Sequence, residues 1–149
     1  MDVCREIGVE PVASGSVAFL AYTKNQDFSV NDIDLSCSEA EFARLSDALN
    51  DHGIECKVTP WHVLQSLRGD LKVEFDSSEF WMNDLPHDDE SLQIQDLQIR
   101  VVGLGALTEL YRRGLHATAD SVDEIAQSKH DALKAKYDAL LALGGVIGT

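Results

Sequence analysis

The sequence predicts an α+β fold: a small mixed β-sheet backed by helices, followed by a helical C-terminal part. Three observations carry this. "VNDIDLSC" (30–37) and "LKVEFDS" (71–77) alternate with a period of two, apolar residues on one side and acids on the other. "SEAEFARLSDALNDHG" (38–53) spaces Phe42, Leu45 and Leu49 at helical intervals. From "GALTELYRRGL" (105–115) onward only the helical period remains. A chain of 149 residues suits one domain with one core. It divides into an α/β core over 1–100 and C-terminal helices over 101–149.

Taken in order, residues 1–13 read as a short helix or irregular lead. "SGSVAFLAY" (14–22) is a buried helix opening at Ser14 to Ser16, and "TKNQDFS" is a polar connector. The strand 30–37 follows, with Val30, Ile33 and Leu35 set against Asp32, Asp34 and Ser36. In the next helix Ser38 and Glu41 have capping-box spacing, and Gly53 supplies the stop. "IECKVTPW" alternates Ile54, Cys56 and Val58 as a short strand, and "WHVLQSLRGD" (61–70) reads as a helical turn ending at Gly69. In 71–77, Leu71, Val73 and Phe75 oppose Lys72, Glu74 and Asp76. "NDLPHDDES" is a loop and "LQIQDLQIRVV" (92–102) one further strand. A helix with Leu107, Leu110 and Tyr111 inside comes next, with Arg112 and Arg113 in its last turn, favourable against the helix dipole. The last helix, about 121 to 143, opens with a second capping box, Ser121 and Glu124. Its inner face is Ile125, Leu133, Tyr137 and Leu140, and "GGVIGT" is a frayed tail.

Composition narrows the function. There are 26 acids against 12 bases, a net charge of −14. Nucleic acid binding draws on clustered Lys and Arg, so direct binding of a polynucleotide is not expected; a basic partner or a cation-bridged anion is easier to accommodate. No apolar run approaches the roughly 20 residues of a membrane span, and no signal-peptide pattern is present. Cys4, Cys37 and Cys56 make an odd count without CxxC spacing, which fits a reducing, cytoplasmic setting and neither a disulfide framework nor a thiolate zinc site. The five histidines lack metal-site spacing.

On a strand, residues i and i+2 share a face about 6–7 Å apart. Asp32 and Asp34 therefore aim two carboxylates at one point, with no base beside them in sequence. A divalent cation resolves that repulsion. Mg²⁺ takes hard oxygen ligands and leaves coordination open for substrate phosphates. A third carboxylate from the other acidic strand, Glu74 or Asp76, completes a site for one or two metals, the latter about 3.5–4 Å apart.

The run "ASGSVAFLAY…DFSVNDIDLSC…LKVEFDS" resembles the nucleotidyltransferase superfamily, the DNA polymerase beta-like fold. Gly15-Ser16 matches its G-[GS] turn, Asp32-Ile33-Asp34-Leu35 its D-h-[DE]-h strand, and Val73-Glu74-Phe75 its h-[DE]-h partner; Phe75-Asp76-Ser77 fits less well. The similarity covers roughly 12–80 and is greatest to the small bacterial branches: minimal, AbiEii-like and antibiotic adenylyltransferase-type members. "SKHDALKAKYDAL" (128–140) is similar to a Lys- and Asp-containing helix that closes such chains. The resemblance implies a Mg²⁺-dependent enzyme that moves a nucleoside monophosphate from an NTP to a hydroxyl of a small molecule or protein. It implies Gly15 and Ser16 at the nucleotide's phosphates, Asp32 and Asp34 on Mg²⁺, and Glu74 as third ligand or as the base, with Asp76 the other candidate ligand.

Further candidates are Lys129, Lys134 and Lys136 on the last helix. Lys129 and Lys136 share a face and could reach a triphosphate. Cys37 is a reactive thiol or a buried small residue. Trp61 and Trp81 pack in the core, or stack on a base or on each other. The alternative reading is a non-catalytic nucleotidyltransferase-like domain that binds a nucleotide or a partner protein, as in a toxin–antitoxin pair. At this length part of the site could come from a homodimer or a protein partner.

Overall fold

The computed structural model describes residues 2–28, 30, 32–68, 70–119 and 123–144. Its strands are β1 (Val12–Ser14), β2 (Asp32–Cys37), β3 (Cys56–Val58), β4 (Val63–Arg68), β5 (Leu71–Ser77), β6 (Glu90–Ile94) and β7 (Leu97–Val101). Its helices are α1 (Asp2–Glu6), α2 (Gly15–Thr23), α3 (Phe42–Asp51), α4 (Ser78–Trp81), α5 (Leu104–Thr118) and α6 (Glu124–Ala142). The strands form one mixed seven-stranded sheet in the order β3-β4-β5-β2-β1-β7-β6. This is the α+β architecture expected.

Two parallel pairings organise it. β2 lies parallel to β5 and β1 parallel to β7; the other neighbours are antiparallel. Alternation then sorts the side chains. Leu35, Phe75 and Leu64 are buried in one core with Leu45 and Leu49 of α3 and Cys4 of α1. The acids of β2 and β5 are left for the opposite face. Phe19 of α2 is buried and meets Phe28 edge-on at 4.9 Å and the Tyr111 ring of α5 at 6.2 Å. Among the described residues no helix is long and apolar enough to cross a membrane.

Several expectations are corrected. Residues 63–68 are a strand, not a helical turn. Val63 and Leu64 are both buried, and the core-side position two on is Ser66, whose hydroxyl donates to the Val73 carbonyl at 3.4 Å. Alternation is blurred there, and pairing with β5 decides the conformation. "LQIQDLQIRVV" is two strands, joined at Gln95 and Asp96, with Gln95 at φ 53°. No glycine marked that turn. The Ser38–Glu41 capping box does not form. Ser38 instead donates its hydroxyl to Glu79 of α4 at 2.6 Å, and the Glu39 N–H donates to the same carboxylate at 3.0 Å. A 3-10 turn, Glu39–Glu41, precedes α3. Arg112 and Arg113 fall in the middle of α5, paired with Glu109 and, for Arg113, Asp84. On α6, Leu140 is buried and Leu133 and Tyr137 half-buried, but Ile125 is 68% exposed because the helix's first turns stand off the core. Asp123 caps that helix, accepting from the Ile125 N–H. Ser121, Gly69 and the tail 145–149 lie outside the described residues.

Glu79 thus substitutes for the local cap. Glu79→Ala is expected to lower unfolding free energy by about 1 kcal/mol, the usual worth of a helix-start cap. Urea titration checks it; Ser38→Ala added to Glu79→Ala should cost almost nothing more, since both remove one interaction.

Candidate functional site

The parallel register of β2 and β5 sets Asp32 beside Lys72, Asp34 beside Glu74, and Ser36 beside Asp76. Because residues two apart share a face, the four expected carboxylates, Asp32, Asp34, Glu74 and Asp76, form a row on one side of the sheet. Lys72 is the basic residue inserted in it, and its Nζ lies 2.5 Å from Glu74 Oε1. That ion pair holds the Lys72 ammonium above its ordinary value, chiefly through the hydrogen bond to Glu74.

Asp34 and Asp76 pay the electrostatic cost of the row. Burial first, then the charges of Glu74 and Asp32, pushes Asp34 up to about 6. Burial, then Asp34 and Glu74, pushes Asp76 up to about 7. Asp76 is therefore a half-buried carboxyl held toward its protonated form by burial and by its acidic neighbours.

The Gly15-Ser16 pair sits against this row. Ser14 of β1 is opposite Asp34, and the chain turns directly into α2 with Gly15 at φ +57°. A Cβ on Gly15 would stand 2.4 Å from Asp34 Oδ2, so only glycine allows the approach. No side chain caps the start of α2. Ser16 Oγ accepts a hydrogen bond from Lys136 Nζ at 2.9 Å, 120 residues away on α6. Lys136 also lies 5.7 Å over the Phe19 ring. Burial lowers its ammonium from the usual lysine range, while Asp34 opposes that shift. Gly15, Ser16, Asp34, Leu110, Tyr111 and Lys136 line a cleft of about 240 Å³. Tyr111 is pushed up to about 12 by burial and stays a neutral phenol.

Of the three lysines singled out in the sequence, Lys136 is the one brought to this cleft. Lys129, two turns earlier on α6, is exposed, and Lys134 pairs with Asp138 at 2.9 Å. The seven-residue spacing put Lys129 and Lys136 on one face, but only a tertiary contact distinguishes them. Lys72 was legible as a residue of the acidic face, yet nothing local gave its pairing with Glu74.

Among the described residues no three His, Cys, Asp or Glu side chains stand close enough together to hold a metal ion as placed. The donor chemistry nevertheless suits a hard cation: the row offers carboxylate oxygens only, and two of them are driven toward protonation by burial first and then by repulsion, which a double positive charge would relieve.

The remaining candidates resolve differently. Trp61 and Trp81 are 52% and 41% exposed, which overturns core packing for both. The Trp81 indole donates to the Trp61 carbonyl at 3.1 Å and meets Phe80 edge-on. They are held outward by α4 and the turn before β4, and sequence alone offered no period to expose that. Cys37 is buried, its thiol pushed up to about 12 by burial, so it is a core residue.

By sequence, no family model and no curated protein matches the chain. Solved structures do. ANT(2'')-Ia in complex with adenylyl-2''-tobramycin is similar over 95% of this chain and 90% of its own, with a TM-score of 0.67 at 13% identity. The fold is that of the nucleotidyltransferases. The lincosamide antibiotic adenylyltransferase LnuA, lincomycin-bound, is similar over 91% and 92% of the two chains (TM-score 0.60, 14% identity). An antigenic nucleotidyltransferase-like protein from Paracoccidioides brasiliensis is similar over 95% and 72% (TM-score 0.61, 11% identity). The nucleotidyltransferase fold thus spans both the acidic row and the C-terminal helices.

Asp34 and Asp76 bind protons more tightly in this folded state than in an unfolded chain, where the ordinary value is 3.8. The folded state is therefore favoured below their folded values and opposed above them. Without divalent cation, melting temperature should fall as pH rises from about 5 to about 8, and Asp76→Asn should flatten that slope. Gly15→Ala should cost about 2 kcal/mol or more, from the positive φ and the contact with Asp34, read by thermal unfolding.

Proposed function

We propose that the chain catalyses Mg²⁺-dependent transfer of a nucleoside monophosphate from an NTP to a hydroxyl acceptor. The observation that carries this reading is the juxtaposition, on one edge of the acidic row, of Gly15, Ser16, Asp34 and Lys136. In the cleft they line, the start of a helix and the Lys136 ammonium meet the Asp34 carboxylate.

In this reading the triphosphate lies along the start of α2. Backbone N–H groups there and the Lys136 ammonium attract its charge, and Ser16 positions Lys136. Gly15 lets the chain approach without a side chain intervening. Mg²⁺, when bound, supplies charge neutralisation between phosphates and carboxylates; Asp32, Asp34 and either Glu74 or Asp76 would hold it. Asp76 suits the base better than Glu74, because Glu74 is engaged by Lys72. The acceptor oxygen bonds to the α-phosphorus, its proton passes to Asp76, and the bond to the departing pyrophosphate breaks.

The alternative, a nucleotide-binding or partner-binding domain without catalysis, draws on the same fold. The antibiotic adenylyltransferase neighbours support the enzyme reading.

Calorimetry with ATP, GTP, CTP and UTP tests it. At least one should bind with Mg²⁺ and not with EDTA; Asp34→Ala should abolish that binding, and Lys136→Ala should weaken it about tenfold. No heat from any nucleotide would sink the proposal. Binding without transfer to any hydroxyl compound would favour the alternative.

A further inference from the structure

Both tryptophans and a phenylalanine lie on a surface that the site above does not use. Trp61 is 52% exposed, Phe80 53% and Trp81 41%; Val58, at the end of the sheet's edge strand β3, is 54% exposed. The cluster is fixed by its own contacts. The Trp81 indole donates to the Trp61 carbonyl at 3.1 Å, Phe80 meets Trp81 edge-on at 5.1 Å, and the His62 ring stacks on Phe80 at 4.2 Å. His62 sits at φ 64°, a left-handed conformation uncommon for a residue with a side chain. Its carbonyl accepts from the Ser77 N–H at 3.0 Å, which ties the turn before β4 to the start of α4. None of these residues lines the Lys136 cleft. Large apolar side chains left together in water mark a surface that meets something else.

Next to His62 stand two carboxylates. Glu39 Oε1 is 2.9 Å from His62 Nδ1, and the Ser77 hydroxyl lies 3.1 Å from both Glu39 Oε2 and Glu79 Oε2. Hydrogen bonds from Ser38 and then from the Glu39 N–H hold Glu79 down to about 2, and the bond to His62 lowers Glu39, so both are anionic at neutral pH. Among the described residues neither forms an ion pair with a lysine or arginine.

This combination selects among occupants. A second copy of the chain would bring a further net charge of −14, and a nucleic acid or an anionic lipid surface would also bring negative charge. A guanidinium is flat and weakly hydrated; it stacks on aromatic faces while its N–H groups pair with carboxylates.

We propose that Trp61, Phe80 and Trp81, with Glu39 and Glu79, dock an arginine-bearing basic segment of another protein. Its arginines lie on the exposed rings and reach the two carboxylates. The docking surface does not depend on the nucleotidyl-transfer reading.

Trp61 and Trp81 are the chain's two tryptophans, so the two indole N–H resonances report on this surface alone. The test is an NMR titration of the full chain with acetyl-Arg-Gly-Arg-Gly-Arg-amide at about 0.15 M salt, with the glutamate analogue as the anionic counterpart. The arginine peptide should shift both indole resonances to saturation, and the glutamate peptide should shift neither. Trp61→Ala with Phe80→Ala, both at exposed positions, should weaken the arginine peptide about tenfold, read on the remaining indole. Glu39→Gln with Glu79→Gln should weaken it about three- to fivefold. Asp47→Asn with Asp51→Asn removes the same charge from exposed positions further along α3 and should leave the affinity within about twofold. Equal weakening by the two charge pairs, arginine-peptide shifts that spare the indoles, or an equal response to the glutamate peptide would each overturn the proposal. So would indole shifts that grow with protein concentration alone, which would assign the surface to a second copy.

Discussion

The parallel pairing of β2 with β5 is the constraint on which the rest depends. A parallel pair cannot be joined by a tight turn, so the chain must leave β2, cross through α3, and return by β3 and β4. That crossover covers the apolar side of both strands with Leu45 and Leu49 and leaves the other side for the carboxylates. The in-register match of Asp34 with Glu74 follows from the same pairing. A slip of one residue would bury the acids and expose Leu35 and Phe75, so the core that holds the fold together also fixes the geometry of the site.

The row is kept under electrostatic load. Asp34 and Asp76 are both buried enough, and close enough to like charges, to hold protons far above their ordinary range. Two lysines offset part of this, each from a different direction. Lys72 comes from β5 itself and neutralises Glu74. Lys136 arrives from α6, so the C-terminal helices are tied to the site as well as to the core. The remaining imbalance is a cost to the fold.

Much of this was written locally in the chain. The alternation in 32–37 and 71–77 was strong because one face of each strand is buried against helices and the other carries charge. Gly15 was legible for a related reason, since the backbone's approach to Asp34 tolerates no side chain. What escaped depends on distant pairing. β4 carries Ser66 at a core position, so its period is hidden until β5 is alongside. The turn at Gln95 and Asp96 uses no glycine and so leaves no mark between β6 and β7. Ser38 and Glu41 had capping-box spacing, but Glu79, some forty residues away, competes for the same hydroxyl and wins with two charge-assisted bonds. Lys136 and Lys129 are equivalent by spacing, and only the packing of α6 beside α2 separates them.

That packing explains why a short C-terminal pair of helices belongs with the sheet. Leu133 of α6 packs over Gly114 of α5, and one turn further on Lys136 meets Ser16 and Phe19. α5 in turn contributes Tyr111 to the Lys136 cleft and Ala106 to the wall of a second cavity, of about 270 Å³, which Ser36 of β2 also lines. One helix therefore borders both spaces next to the carboxylate row. A displacement of α5 against α2 would alter the two cavities together, whereas a change confined to α6 would reach only the cleft at Ser16. α5 thus borders both spaces, whereas α6 borders only the cleft at Ser16.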